Sequence, residues 1–175
     1  MRTATLFLLL LVASTSGAVT FDHYVASLAE GSGFDVVQVH RLWKEESGRK
    51  CDEAISDSGA IGRWQIRLST ARDYDKSATV EKLKDKWYSS RIAFKHFRSL
   101  TRQLAKRGYS GQELRLLVLA SWNRGLGKVL KSIARGHSGI NHFAHTIFYG
   151  PPVPMFTCMV HAPQVQVLSC VSVSF

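Results

Sequence analysis

Apolar residues recur with a helical period along most of this 175-residue chain, and glycines interrupt that period at intervals. One run shows the pattern clearly, with steps of three, four and three residues between its members: Val36, Val39, Trp43 and Glu46. Such spacing places all four side chains along one side of an α-helix. No repeat and no linker divides residues 19–150, so this block predicts a single, mainly α domain.

Cap and stop residues predict where the individual helices begin and end. Asp35 is a predicted N-cap, and Ser110 and Glu113 form a predicted capping box. A loop rich in Gly, Ser and Asp is expected over residues 48–62. Predicted helices cover residues 21–30 and 36–46, and a short helical piece begins at Ser69. A long helix follows, with Ala93, Phe97, Leu100 and Leu104 facing inward, and it ends at Gly108. The remaining predicted helices cover residues 114–122, 129–134 and 140–148.

Residues 1–18 have the composition of a secretory signal. Arg2 precedes an apolar run over residues 6–12, and small residues follow up to Ala18. The apolar run is too short to span a bilayer, so we expect cleavage after Ala18 rather than a membrane anchor. The mature chain is then expected to begin at Val19, to have no stable membrane span, and to act in the periplasm, in the cell envelope or outside the cell.

The pattern changes in residues 151–175. Valines alternate with polar residues there at two-residue steps, which is typical of a strand. A turn at residues 161–164 would allow residues 155–175 to form a short C-terminal β-hairpin. A loosely attached tail is the alternative, and the sequence alone leaves both open.

The charge of the chain restricts its partners. Lys and Arg total 23 and Asp and Glu total 13, which gives a net charge of +10. A chain this basic is expected to meet an anionic partner such as cell wall, membrane headgroups or nucleic acid. Hydrophobic residues make up 45% of the chain, which excludes a disordered protein. Three cysteines without zinc-ligand spacing favour neither a disulfide scaffold nor a zinc site.

Glu46 is the candidate catalytic acid. It continues the side of the helix formed by Val39 and Trp43, and it lies one turn from the predicted helix end. Apolar neighbours and the negative end of the helix dipole both disfavour an ionised carboxylate, so the pKa of Glu46 is expected to be raised. A raised pKa suits a general acid that works near neutral pH. Glu45 is the local rival, but its helical neighbours are more polar.

Two blocks of sequence carry a family resemblance. They are Glu46-Ser47-Gly48 followed by residues 54–65 (AISDSGAIGRWQ) and Ser69-Thr70-Ala71, and then residues 120–125 (ASWNRG). In this order and spacing they resemble the lytic transglycosylases with an SLT-like domain, of the goose-lysozyme-like group. The resemblance covers roughly residues 35–135 and implies a lysozyme-like helical domain in which Glu46 corresponds to the lone catalytic acid.

The same resemblance implies roles for other residues of the two blocks. Gln65 and Asn123 correspond to family residues that line the sugar groove. Ser47 corresponds to the serine that holds the local turn beside the acid. We include Ser47 among the expected substrate-binding residues. Gly59 and Gly62 are expected to let the backbone come close to the glycan.

Several positions depart from the family pattern. Arg63 and Trp64 replace Leu and Met, and Trp122 replaces Tyr. Trp64 and Trp122 either fill the core or stack on sugar faces, and Trp122 is included among the expected substrate-binding residues. The C-terminal segment lacks the aromatic residue that the family brings to its site, and Tyr149 is the candidate replacement.

These residues together predict an exported enzyme that cleaves peptidoglycan glycan strands between N-acetylmuramic acid (MurNAc) and N-acetylglucosamine (GlcNAc). We expect neither a cofactor nor a metal, no nucleic-acid partner, and a monomer. A hydrolysing muramidase is the alternative among enzymes, and a non-catalytic protein that binds the cell wall or a secretion apparatus is the alternative outside them. The intact set of Glu46, Gln65 and Asn123 favours the enzyme.

The number of inward carboxylates distinguishes the two enzyme reactions. Most glycosidases place two carboxylates beside the scissile bond. The acids that follow Glu46, namely Asp52, Glu53 and Asp57, lie in a polar loop and are predicted to be solvated. With Glu46 alone, the N-acetyl oxygen of the sugar must stabilise the positive charge at the reacting carbon. The family resemblance also implies that the muramic 6-hydroxyl then closes a 1,6-anhydro ring.

Overall fold

The computed structural model describes residues 19–47 and 51–151. The predicted signal, residues 1–18, lies outside the described residues, and so do residues 152–175, which contain the predicted hairpin or tail. Those two assignments stay predictions. None of the described helices is both long enough and apolar enough to span a membrane.

Helices dominate the described residues, which confirms the predicted mainly α, lysozyme-like fold. They are α1 Phe21–Glu30, α2 Val36–Ser47, α3 Leu68–Tyr74, α4 Val80–Lys84, α5 Lys86–Ala105, α6 Gly111–Arg124, α7 Leu126–Ala134 and α8 His142–Tyr149. Two short antiparallel strands, β1 Ala60–Ile61 and β2 Ile66–Arg67, form a hairpin between α2 and α3. Helix α5 packs against α1, α3, α4 and α6, and α6 also packs against α7 and α8.

Local capping places the second helix as predicted. The Asp35 carboxylate accepts a hydrogen bond from the backbone N–H of Gln38 at 2.7 Å, and the Gln38 side chain accepts one from the backbone N–H of Asp35 at 3.2 Å. This reciprocal pair satisfies two donors that a helix start leaves free. The cap predicted at Asp35 is therefore confirmed.

The predicted inward side of α2 is only partly correct. Val39 and Trp43 are buried, but Val36 is 37% exposed. Val36 is the first residue of the helix, and burial in α2 begins two residues later, at Gln38. The steps of three and four residues place a residue on a helix side, but they do not say where along the helix the burial begins.

Two local predictions are wrong, and one short helix was missed. Residues 48–62 are not all loop, because Cys51–Glu53 forms a 3-10 turn and Ala60–Ile61 is strand β1. Helix α4 was not expected, since its five residues are too few to show a period. Ser110 precedes α6, but its side chain caps no N–H, and Gly111 follows with a left-handed φ of 55°. The helix therefore begins without the geometry of a capping box.

Aromatic side chains form the centre of the core. Trp64 is completely buried, with its ring 5.3 Å from those of Trp43 and Phe94 in edge-to-face contacts. Its indole N–H donates a hydrogen bond to Ser90 Oγ at 2.9 Å, so the buried polar group is satisfied. These contacts join the β-hairpin and α2 to α5, and the elements around them border the cleft described next.

Candidate active site

Elements that are far apart in the chain border one cleft of about 690 Å³. The end of α2, the β-hairpin, α3, α5, the C-terminal turn of α6 and the start of α7 form its walls. Four of the predicted site residues line it: Glu46, Gln65, Trp122 and Asn123. The fold therefore brings both sequence blocks of the family resemblance to one place.

Glu46 is a partly buried acid in the last turn of α2. The indole N–H of Trp122 donates a hydrogen bond to Glu46 Oε1 at 3.0 Å. Burial raises the pKa of Glu46 from 4.5 to about 7, the hydrogen bond from Trp122 opposes that rise, and the charge of Glu45 adds to it. Glu46 can therefore hold a proton near neutral pH, as a general acid must.

Trp122 is fixed by packing on the side away from solvent. Its ring stacks on Phe97, with centroids 4.3 Å apart and an angle of 17° between the planes. The ring of His96 lies 5.4 Å away at a tilted angle. The indole therefore has a set orientation, which holds its N–H on the Glu46 carboxylate and leaves part of the ring in the wall of the cleft.

Trp64 and Arg63 have structural roles. Trp64 fills the core and does not line the cleft, so the sugar-stacking interpretation is wrong for this residue. The Arg63 guanidinium pairs with both carboxylate oxygens of Asp52, at 3.0 and 3.1 Å, and lies 4.7 Å from the Trp43 ring centre. Asp52 is accordingly not the solvated loop residue that was predicted, because the ion pair holds it against the hairpin turn.

Gln65 ends the four-residue turn between β1 and β2. It has a left-handed φ of 46°, which is uncommon for a residue with a side chain. Its side-chain amide donates a hydrogen bond to the carbonyl of Gly62 at 2.9 Å, and its backbone N–H donates to the same oxygen at 3.0 Å. These two bonds stabilise the strained residue and hold its side chain in the cleft wall.

Gly62 allows close packing within the protein. It has a φ of 70°, and a Cβ atom added to it would lie 2.8 Å from the carbonyl oxygen of Leu83. Neither Gly62 nor Gly59 is among the residues that line the cleft. The expectation that Gly62 makes room for the glycan is therefore wrong, since the close neighbour at Gly62 is the end of α4.

Asn123 follows Trp122 at the end of α6 and is exposed in the cleft. Its side-chain oxygen accepts a hydrogen bond from the Asn141 amide at 3.0 Å. Asn141 in turn caps α8, since its side-chain oxygen accepts from the backbone N–H of Ala144 at 3.1 Å. The Asn123 amide group is therefore oriented by the start of another helix.

Two predicted site residues lie away from the cleft. Ser47 is buried, and its hydroxyl donates to the carbonyl of Trp43 at 2.9 Å inside α2. Tyr149 is 55% exposed at the end of α8, where its ring stacks with that of His145 at 5.7 Å. Neither is among the residues that line the cleft.

Comparison with known proteins decides the family. The chain matches the model of the transglycosylase SLT domain over residues 24–142, which is more than half of its length and includes both sequence blocks. The chain belongs to the SLT transglycosylase family. A search of curated proteins found no match, and a search of solved structures found none either. SLT domains act on peptidoglycan, which implies a periplasmic or envelope location.

The cleft of this SLT domain also contains residues that the sequence analysis missed. Tyr74 and His96 share a hydrogen bond of 2.8 Å between the hydroxyl and Nδ1, and both line the cleft. Burial lowers the pKa of His96, and the nearby Asp73 acts in the opposite direction. Thr70, Asp73 and Tyr74 line the cleft from one side of α3 at steps of three and four residues, a signal that was available in the sequence.

Asp73 matters because it is a second acid in the cleft. It is exposed on α3, whereas Glu46 is partly buried. The expectation of a single carboxylate in the cleft is therefore wrong, because Glu46 and Asp73 both line it. The two acids nevertheless have different environments. Ser121 is a further missed residue: its hydroxyl is buried beneath the cleft and makes no hydrogen bond within the described residues.

Metal binding finds no support in the described part of the chain. Among residues 19–47 and 51–151, no group of three or more His, Cys, Asp or Glu side chains is placed to hold a metal ion. The side chains that line the cleft supply carboxyl groups, amides, hydroxyls, an imidazole, an indole and the cations Arg67, Arg124 and Lys128.

Proposed function

We propose that this SLT domain is a lytic transglycosylase, which cleaves the MurNAc–GlcNAc bond of peptidoglycan and leaves 1,6-anhydro-MurNAc ends. One observation carries the proposal: Glu46 is a partly buried acid with a pKa of about 7, held by Trp122 at the wall of a cleft large enough for several sugar rings. An acid in this state can give a proton to a leaving group and take one back in the same reaction.

The proposed reaction uses Glu46 twice. The protonated carboxyl donates its proton to the glycosidic oxygen, and the bond from C1 of MurNAc to that oxygen breaks with its electron pair on the oxygen. The N-acetyl oxygen of MurNAc stabilises the positive charge at C1. The Glu46 carboxylate then removes the proton of the MurNAc 6-hydroxyl, whose oxygen bonds to C1. Glu46 is protonated again, and no water is consumed.

Other residues would bind and orient the glycan. Gln65, Asn123 and Trp122 line the cleft beside Glu46, with two amides for sugar hydroxyls and an indole for a ring face. Ser47 would act indirectly, by fixing the last turn of α2 through its bond to Trp43. Tyr149 would need to move from its exposed position on α8 to contribute, so it is the weakest of the proposed substrate-binding residues.

The proposed organisation of the chain follows from this assignment. Residues 1–18 would be an export signal, residues 19–150 the catalytic domain, and residues 151–175 a C-terminal tail or hairpin. The proposed enzyme is an exported monomer that binds glycan strands and needs no cofactor, metal or nucleic acid.

Mass spectrometry of fragments released from purified peptidoglycan tests the proposal. The wild-type protein is expected to release fragments with 1,6-anhydro ends, and Glu46→Gln is expected to bind the wall without releasing fragments. Glu45→Gln is the matched control, because Glu45 is exposed on the same helix turn and should leave the release intact. Binding of wild-type protein to the wall with no release would support a non-catalytic wall protein instead.

Asp73 supports a second candidate, a hydrolysing muramidase. A second carboxylate in the cleft could activate water on the other face of the sugar, as inverting glycosidases do. In that case the fragments would carry reducing ends, and Asp73→Asn would abolish release as fully as Glu46→Gln does. The transglycosylase proposal expects Asp73→Asn to retain most of the activity and all of the anhydro ends.

A further inference from the structure

A second, shallower groove lies beside the cleft, along α7. It has a volume of about 330 Å³, and cationic side chains make up most of its lining: Arg124, Lys128, Lys131 and Arg135. Lys128 and Lys131 lie three residues apart on one side of α7, whereas Arg124 is the last residue of α6 and Arg135 follows the last residue of α7. Val129 is buried on the opposite side of α7, which faces α6. We call this surface the α7 groove.

Among the residues that the structure describes, no acidic side chain neutralises the positive charge of the α7 groove. All four cations are exposed, and no Asp or Glu lines the groove. The ion pairs of the described residues lie elsewhere, at Arg63 and Lys84. Four like charges that line one groove repel one another, so an anionic ligand would be stabilised there.

The α7 groove and the cleft are continuous. Arg124 and Lys128 line both of them, so one wall passes from the cleft that contains Glu46 into the groove. A ligand that occupies the cleft with its sugars can therefore place a side branch in the groove. This continuity favours an anionic group attached to the glycan over a separate anionic molecule.

We infer that the α7 groove binds the carboxylate groups of a stem peptide on the glycan strand whose sugars occupy the cleft. The stem peptide leaves MurNAc sideways from the sugar chain and carries several carboxylates, which suit the paired donors of arginine and the point charges of lysine. The inference rests on the proposed function only in taking a glycan as the occupant of the cleft. The groove would select strands that still carry charged peptides.

Binding measurements with the Glu46→Gln full-length mature chain test this inference without cleavage of the ligand. The two ligands are a soluble glycan fragment with free stem carboxylates, and the same fragment with those carboxylates converted to amides. The charged fragment is expected to bind roughly fivefold more tightly, because exposed charge pairs contribute modestly to affinity. Adding Lys131→Gln and Arg135→Gln, which lie outside the cleft, should remove this preference.

The matched control removes the same charge from another helix. Arg98→Gln with Arg102→Gln neutralises two exposed cations of α5, and the preference for the charged fragment should persist. Equal binding of the two fragments by the parent chain would overturn the inference. So would a preference that survives the loss of Lys131 and Arg135, or one that disappears equally in the α5 control.

Two further readouts separate this inference from its rivals. The first readout is the binding of a soluble poly(glycerol phosphate). If its binding depends on Lys131 and Arg135, but the preference for the charged fragment does not depend on them, the groove binds a phosphate polymer and the inference is overturned. Fragment release by the wild-type chain is measured separately. If no release occurs but the preference behaves as expected, the proposed catalytic function fails and the inference about the groove stands.

Discussion

Glu46 carries a cost in stability that follows from its environment. Its pKa is about 7 in the folded protein and 4.5 in the unperturbed state, with burial as the main cause. A raised pKa means that the folded state holds the proton more tightly than the unfolded chain does. The stability that Glu46 contributes is therefore present below about pH 4.5 and is lost as the pH rises to about 7.

Glu46→Gln is accordingly expected to stabilise the protein at alkaline pH while it abolishes cleavage. The amide keeps an acceptor for the Trp122 N–H and removes the buried charge. At about pH 8 the free energy of unfolding should rise by about 2 kcal/mol, and at about pH 4 it should hardly change. Denaturant titrations at the two pH values measure this. Glu45→Gln is the control, and an equal gain there would contradict the explanation.

Trp122 controls the proton affinity of Glu46 in the opposite direction. Its N–H stabilises the ionised carboxylate, so removing it should raise the pKa of Glu46 further. Trp122→Phe is expected to shift the alkaline limb of the activity profile to higher pH, because the acid must be protonated to act. Profiles of kcat against pH measure the shift.

The control for Trp122→Phe is Trp64→Phe. This change also removes an indole N–H from the aromatic core, but that N–H bonds to Ser90 and not to Glu46. The alkaline limb should stay in place in Trp64→Phe, even if the protein is less stable. An alkaline limb that moves to lower pH in Trp122→Phe would contradict the role given to the hydrogen bond.

At the scale of elements, the β-hairpin depends on the close approach of Gly62 to α4. Gly59 and Gly62 both have left-handed φ angles, of 75° and 70°, but only Gly62 has backbone within 3 Å of a Cβ position. Substituting alanine at Gly59 tests only the cost of a side chain at a left-handed φ, whereas the same substitution at Gly62 adds the cost of a steric clash. The turn that presents Gln65 begins at Gly62, so a displaced turn would also change the cleft.

Gly62→Ala is expected to destabilise the protein by about 3 kcal/mol and to lower cleavage, while Gly59→Ala costs about 1 kcal/mol and leaves cleavage intact. The smaller cost reflects the left-handed backbone alone, and the larger one adds the contact with the carbonyl of Leu83. Thermal unfolding and fragment release measure both effects. Equal costs for the two substitutions would show that the contact at Leu83 relaxes freely.

Elements with strong local signals could be predicted from the sequence. Helices α1 and α2 begin at capping side chains and contain several turns, so their bounds depend on residues close in the chain. The two-residue strands and α4 are too short for a period, and they form because the core around Trp64 packs against them. Tertiary contacts decide such elements, and a single sequence does not show those contacts.

The candidate site divides in the same way. The motif blocks located Glu46, Gln65 and Asn123, but they could not separate the buried Trp64 from Trp122 at the cleft, since both tryptophans adjoin a motif. Asp73 was missed because it belongs to neither block, although it lies on the same side of α3 as Thr70. Proximity between helices is what makes it a site residue.

At the scale of the whole molecule, charge and chemistry occupy different places. The net charge of +10 includes exposed cations on α5 and along the α7 groove, whereas Glu46, the proposed acid, is partly buried in the wall of the cleft. Long-range attraction to an anionic wall acts before the glycan enters the cleft, and dissolved salt screens it. The proposed bond-breaking step depends on contacts inside the cleft, over distances well below the screening length of the salt.

Salt should therefore change the binding of the wall and leave the chemical step alone. Between about 50 mM and about 200 mM NaCl, the KM for soluble charged glycan is expected to rise roughly threefold, with kcat unchanged. Initial rates at several substrate concentrations separate the two constants. Lys131→Gln with Arg135→Gln should weaken the salt dependence of KM, because it removes two of the charges that salt screens. A fall in kcat at constant KM would contradict this account, since it would place the screened charges at the reacting bond.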